Sequence, residues 1–271
     1  MKTVLLITGD HIWALLHNRL LLGLMLISVA LTTIFSVSLA TLEGTLKKAN
    51  EIQRKAQAGK GGAPVTAEMR QKEEMGMQMM ESTFQAFFYQ TASFGGSLVA
   101  LFIFSTAVAS EIRQGTIRVT LSKPVSRLQY LAGKLFGGMT VMAIYALVAS
   151  LALVIFARSH QQVMSPTMKY APLLMFSRQL MLGSLALLLS LFFHPLIASI
   201  LAFFAGNGFY GTSNPLYYLL PSYSPFNVFG QLLQGSLLTG QKVLLLELYA
   251  ADFVLLMLLL AWWRFRTKEL V

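Results

Sequence analysis

Residues 173–210 read LLMFSRQLMLGSLALLLSLFFHPLIASILAFFAGNGFY, almost continuously apolar apart from Arg178 and the pair His194-Pro195. The run is too long for one crossing of a hydrocarbon layer, which takes about 20 apolar residues, and rather short for two. Proline lacks a backbone donor and clashes with the preceding turn, so a helix arriving at His194-Pro195 is expected to end there. Splitting the run at that pair gives two spans. Charge placement supports the split: two spans here make six in the chain, which puts both termini and the Arg-rich stretch 110–127 on one side. A single kinked helix would instead export Arg264, Arg266 and Lys268, against the tendency of Lys and Arg to stay on the cytoplasmic side.

Working outward, the other spans are expected at about 20–40, 84–109, 128–157 and 244–263, the last closed by Trp262-Trp263-Arg264 at the cytosolic face. The composition agrees with this all-α integral membrane reading. Of 271 residues 55% are hydrophobic and 12% charged, about half the charged share of a soluble domain. A net charge of +10 would suggest a nucleic-acid partner in a soluble protein. Here the positive residues cluster at span ends, so no nucleic acid is expected and the lipid membrane is the partner. The absence of Cys excludes disulfides and thiolate metal sites. Asp10, His11 and Arg19 precede the first apolar run and no Ala-x-Ala-like site follows it, so a cleaved signal peptide is not expected.

Three polar regions punctuate the spans. In residues 1–19, Ile7, Ile12, Leu15 and Leu16 recur at roughly helical spacing among Asp10, His11 and His17, which predicts an interfacial amphipathic helix ahead of a six-span domain at 20–271. Residues 43–83 alternate Lys and Arg with Glu and break at Gly59-Lys-Gly-Gly-Ala-Pro64, which predicts an outer segment of two flanking helical pieces. Residues 211–243 form an outer loop in which Ser224-Pro225 resembles an N-cap followed by proline at the first helical position, with Gly235 ending a short helix. Tyr217, Tyr218, Tyr223, Phe226 and Phe229 in that loop suit a membrane interface.

The stretch 110–130, SEIRQGTIRVTLSKPVSRLQY, carries Arg113, Arg118, Lys123 and Arg127 against Glu111. Topology alone needs only the charge. The stretch also holds an apolar set (Ile112, Ile117, Leu121), a Gly115 that bends the chain, a Pro124 that stops a helix, and Ser126 to Gln129 as a capping box opening the next span. Two firmly punctuated spans with a short surface helix between them are suited to presenting a face to a partner. Glu111, Gly115-Thr116-Ile117, Ser122-Lys123-Pro124-Val125-Ser126-Arg127 and Gly133-Lys134 together resemble the run that links spans 2 and 3 in the ABC type-2 transporter permeases. His194-Pro195-Leu196-Ile197, Ser224-Pro225-Phe226-Asn227 and Phe265-Arg266-Thr267-Lys268-Glu269-Leu270 are similar to later landmarks of that family.

The resemblance implies a permease subunit of the bacterial cytoplasmic membrane, with cytosolic termini, that pairs with a second permease subunit and sits on a separate ATPase. That partner, and not this chain, would hold ATP and Mg. It also implies a docking surface at Glu111, Arg113, Gly115, Thr116, Arg118, Lys123, Pro124 and Arg127. The chain has no G-x-x-x-x-G-K-[ST] phosphate loop, so hydrolysis is expected elsewhere and no cofactor is expected here. The long segment 43–83 departs from the minimal family pattern, and an outer accessory protein is one candidate for what it meets.

Small residues predict close helix packing: Gly133 and Gly137 in span 3, Gly96 and Ala100 with Ala92 in span 2, and Ala198, Ala202 and Gly206 in span 5. Arg178 and Asp252 are intramembrane charges expected near the outer ends of their spans, where they either snorkel or border a transport pathway. Met75-Gly-Met-Gln-Met-Met80 has soft sulfur ligands suited to Cu(I), but Met also fills an apolar helix face, and no metal site is assigned. His11 and His17 share no helix face. Clustered polar groups and buried midplane charges are not evident in the spans, which counts against a membrane-embedded enzyme and a secondary transporter. A non-transporting membrane scaffold or anchor is the alternative to the permease.

Overall fold

The computed structural model describes residues 2–19, isolated positions within 21–52, and residues 67–117, 122, 125–159, 166–206, 223–228 and 238–267. The helices are α1 (Lys2–Leu16), α2 (Ala67–Gln114), α3 (Arg127–Ser159), α4 (Ala171–Ser190), α5 (Pro195–Gly206) and α6 (Gly240–Thr267), with 3₁₀ turns at Pro166–Tyr170 and Ser224–Phe226. No strand occurs among the described residues.

Four stretches are long and apolar enough to cross a membrane: Thr83–Gln114, Arg127–Ile155, Pro166–Ser190 and Gly240–Thr267. They correspond to the expected spans 2, 3, 4 and 6. The first span falls largely outside the described residues, although Leu21, Ser28 and Thr32 are buried. The fifth is described only as α5, whose 12 residues reach about 18 Å, short of a crossing.

The break at His194-Pro195 is present. The end of α4 tightens into turns through Phe192 N–H to Leu189 O (3.0 Å) and Phe193 N–H to Leu189 O (2.9 Å). Pro195 then opens α5 at the first helical position, where no backbone donor is needed, and His194 O accepts from Ala198 N–H at 2.9 Å.

Two features differ from expectation. The helical piece before span 2 and the span itself form one helix, α2, of 48 residues, about 72 Å long. Residues 67–83 contain Gly76 but no proline, and their Met, Gln, Glu and Lys are good helix formers, so nothing stops the helix at the expected edge. The aromatics of the outer loop also behave differently. Tyr223 and Phe226 are 3% and 0% exposed and insert into the bundle. Tyr217, Tyr218, Phe229, Gly235 and the Gly59–Pro64 break lie outside the described residues.

Helix α4 is central, packing against α2, α3, α5 and α6, and most of its residues are buried. Helix α6 lies at the periphery, with Leu244, Leu248, Leu255 and Leu259 exposed. The tightest junction is at Phe104 of α2, fully buried, whose ring meets the bare backbones of Gly138 in α3 and Gly183 in α4.

Candidate functional site

At one end of the bundle the last turn of α2, the first turn of α3, the α4–α5 turn and the last turn of α6 meet. Glu111 turns inward. Its carboxylate is ion-paired with Lys134 of α3 and accepts from the Tyr130 hydroxyl at 2.7 Å. The Lys134 ammonium also lies 3.5 Å from His11 Nδ1 of α1. Burial, with the Lys134 charge beside it, pushes the His11 imidazole down to about 3, so the ring is neutral at ordinary pH.

The connection from α2 to α3 is punctuated at both edges. Gly115 sits at φ 72°, a left-handed conformation that glycine enters without a steric cost and that commonly ends helices. Thr116 Oγ1 donates back to Glu111 O at 3.4 Å, and Ile117 is buried. The start of α3 is a reciprocal capping box: Ser126 N–H donates to Gln129 Oε1 at 3.1 Å and Gln129 N–H to Ser126 Oγ at 3.2 Å. Arg118, Leu121, Lys123 and Pro124 lie outside the described residues, and with them the expected surface helix.

Exposed Arg113 lies 2.9 Å from His194 Nε2 in the α4–α5 turn. Arg127 donates to Phe265 O at 2.6 Å and to Arg266 O at 2.8 Å, and Arg264 lies over the Phe192 ring at 4.9 Å. The end is therefore cationic outside, with a Glu111–Lys134–Tyr130–His11 contact set beneath it.

The model of the family described as ABC-2 family transporter protein matches residues 13–270. The chain belongs to the ABC-2 transporter family. No curated protein matches it. As a member of that family it is an integral membrane transport component, the kind of chain that forms the permease part of an ABC transporter.

In this ABC-2 chain the small residues meet different neighbours. Gly133 and Gly137 of α3 receive Ile7 and His11 of α1, and Thr8 Oγ1 donates to Gly133 O at 3.3 Å. Gly96 faces Gln179 and Tyr145, Ala100 is fully buried in the core, and Gly206 faces Tyr223.

The two intramembrane charges part company. Arg178 does not snorkel: it is 9% exposed and donates to Ser93 Oγ of α2 at 2.9 Å, with Tyr89 and Tyr223 within electrostatic reach. Asp252 is exposed on α6, about 18 Å from the start of that helix and thus near its middle.

The fold also assembles a polar layer that the sequence did not reveal. Tyr145 OH donates to Ala92 O at 2.9 Å and lies 2.6 Å from Ser28 Oγ. Tyr89 OH donates to Phe226 O at 3.1 Å, and Ser177 donates to Glu247 of α6. With Arg178 and Gln179 these side chains bridge four helices and the segment at Ser28, so the expectation of no clustered polar groups is corrected. Ser177, Arg178 and Gln179 are adjacent in the chain, but the partners Glu247 and Ser93 lie 70 and 85 positions away, so only contact across the bundle assembles the layer. Among the described residues no group of three or more His, Cys, Asp or Glu is placed to hold a metal. The side chain of Met75 is exposed, and those of Met77, Met79 and Met80 lie outside the described residues.

Proposed function

We propose that this chain is the six-span permease subunit of an ABC exporter of the bacterial cytoplasmic membrane, working as a dimer of permease subunits on a separate ATPase that carries the ATP and Mg. Both termini face the cytosol, α1 lies along the inner membrane surface, and residues 43–83 with the outer part of α2 project outside, where an accessory protein could meet them. The observation that carries the reading is the convergence of Arg113, His194, Arg127, Arg264 and Arg266 at the end of the bundle where α2 hands over to α3. Positive charge belongs on the cytosolic side, and a surface that gathers four segments passes a push on one of them to the others.

In this reading ATP closes the motor domains and the loop at 110–127 is displaced. The Glu111–Lys134 pair and the Arg127 contacts then carry that displacement into α2, α3 and α6. Cargo is moved across or out of the bilayer. The test is purification in mild detergent from native membranes, comparing wild type with Arg113→Glu/Arg118→Glu. An ATPase recovered with wild type and lost from the variant, with insertion intact, supports the permease. Intact insertion with no ATPase in either sample leaves the scaffold.

A further inference from the structure

Helix α4 turns one stripe of side chains, Ala171, Met175 and Arg178, toward the seam it shares with α2 and α3. At the outer part of that seam lies a shallow apolar crevice that opens at the surface, lined by Phe88, Tyr89 and Ala92 on α2, Leu153 on α3, and Met175 on α4. A second crevice continues it past Ala92 and Ala149 toward Tyr145 and Thr32. Arg178 is the next rung of the stripe below Met175, with Tyr89 shared between crevice and guanidinium.

The groups around that rung are polar and not all are satisfied. Arg178 donates to Ser93. The Tyr223 hydroxyl, on a residue 3% exposed, makes no hydrogen bond, and neither does the side-chain amide of fully buried Gln179. A buried donor left unmade costs about 1–3 kcal/mol, so several in one layer mark a place where another partner fits. Guanidinium cannot give up its proton, and its planar fork of donors matches a carboxylate or phosphate. A membrane charge facing the bundle interior commonly marks a substrate or ion route.

We infer that Arg178 and Tyr223 form the head of a binding site for an anionic membrane amphiphile, its phosphate or carboxylate held at Arg178 and its apolar chain lying in the crevice between α3 and α4. The site enters sideways from the lipid, since Leu147, Leu151 and Ile155 on the adjoining face of α3 are exposed. Tyr223, inserted from the outer loop, lies at the Arg178 end of the site. This inference uses only the bundle and does not depend on ATPase docking.

The experiment measures binding to the purified protein in detergent, without ATPase, using dihexanoyl phosphatidic acid, dihexanoylglycerol and inorganic phosphate as probes. Saturable binding of the phosphatidic acid, with dihexanoylglycerol and phosphate each at least about tenfold weaker, is expected. Arg178→Gln should weaken phosphatidic acid about tenfold or more and Tyr223→Phe several-fold. Arg178→Lys, which keeps the charge but loses the fork, should fall between wild type and Arg178→Gln. Equal binding of dihexanoylglycerol removes the anion-binding role, and equal binding of inorganic phosphate removes the amphiphile. If Arg178→Gln does not fold, unchanged affinity in both Arg178→Lys and Tyr223→Phe overturns the site.

Discussion

Arg127 and Phe265 fasten the beginning of α3 to the end of α6: the guanidinium donates to the Phe265 carbonyl at 2.6 Å and lies 5.6 Å from the centre of the Phe265 ring. Its second bond, to Arg266 O at 2.8 Å, satisfies another of the carbonyls that a helix C-terminus leaves without an internal partner. Removing both bonds with Arg127→Gln should cost about 1–3 kcal/mol and lower the melting temperature of the purified protein. Arg127→Lys, a point charge without the fork, should recover only part of the loss. Melting curves of the three proteins decide it, and an unchanged curve for Arg127→Gln would show that water caps α6 equally well.

The Phe104 junction predicts a non-additive pair. Adding a side chain at Gly183 drives it into the Phe104 ring, and overpacking of this kind costs about 1–3 kcal/mol. Phe104→Ala alone leaves a void and should cost about 3–5 kcal/mol. The combination Gly183→Leu/Phe104→Ala fills the void from the other side. It should therefore be more stable than the sum of the single losses by at least about 1 kcal/mol. Strict additivity in a denaturation cycle would mean that the two helices do not share this contact.

Glu111 and Lys134 predict a different kind of coupling. Their side chains are 24% and 8% exposed, so Lys134→Met strands a carboxylate that is largely shielded from water. Breaking a fully buried pair costs about 3–5 kcal/mol, and the partial exposure of Glu111 reduces this to about 2–3 kcal/mol. Neutralising both in Glu111→Gln/Lys134→Met should restore most of the stability, because the cost lies in the stranded charge. ATPase recovery with the same double variant asks a second question. A stable protein that retains the motor would confine Glu111 to an internal role, whereas a stable protein that loses it would mean that the carboxylate also serves docking.

What the sequence made legible follows the physics of each signal. Proline at 195, the S-x-x-Q pattern at 126–129 and glycine at 115 act locally. Each appears in the fold as a helix break, a capping box and a left-handed turn, respectively. Long apolar runs are equally local, and four of the expected spans are helices of spanning length. Contacts made across the bundle were not legible. Nothing near Glu111 in the chain announces that Lys134, 23 positions later, will meet its carboxylate. Nor does anything place Ser93, Arg178 and Tyr223 together, since they lie in three segments far apart in the chain. The aromatics at 223 and 226 misled for the same reason, because their amphipathic chemistry suits a membrane interface and a buried plug alike.

His11 gives the α1–α3 contact a pH dependence whose sign is fixed. In the folded state the ring lies against Gly137 with Lys134 beside it, and its pKa is pushed down to about 3 by burial first and by that charge second. Once α1 lifts away, the ring returns to its ordinary value of about 6.5. The detached state thus binds a proton that the docked state excludes, and docking is favoured above that value and weakened as pH falls below it. The slope is about 1.4 kcal/mol per pH unit, and at pH 5 the loss is about 2 kcal/mol, a figure that holds wherever the docked value lies well below 5. Hydrogen exchange of the α1 amides, corrected for intrinsic rate, should show about thirtyfold more opening at pH 5 than at pH 7.5. His11→Gln, of similar bulk but unable to titrate, should show no such difference. Equal opening at the two pH values in the wild type would mean that α1 does not bury His11 against α3, and the polar contact set at that end of the bundle would lose one of its four members.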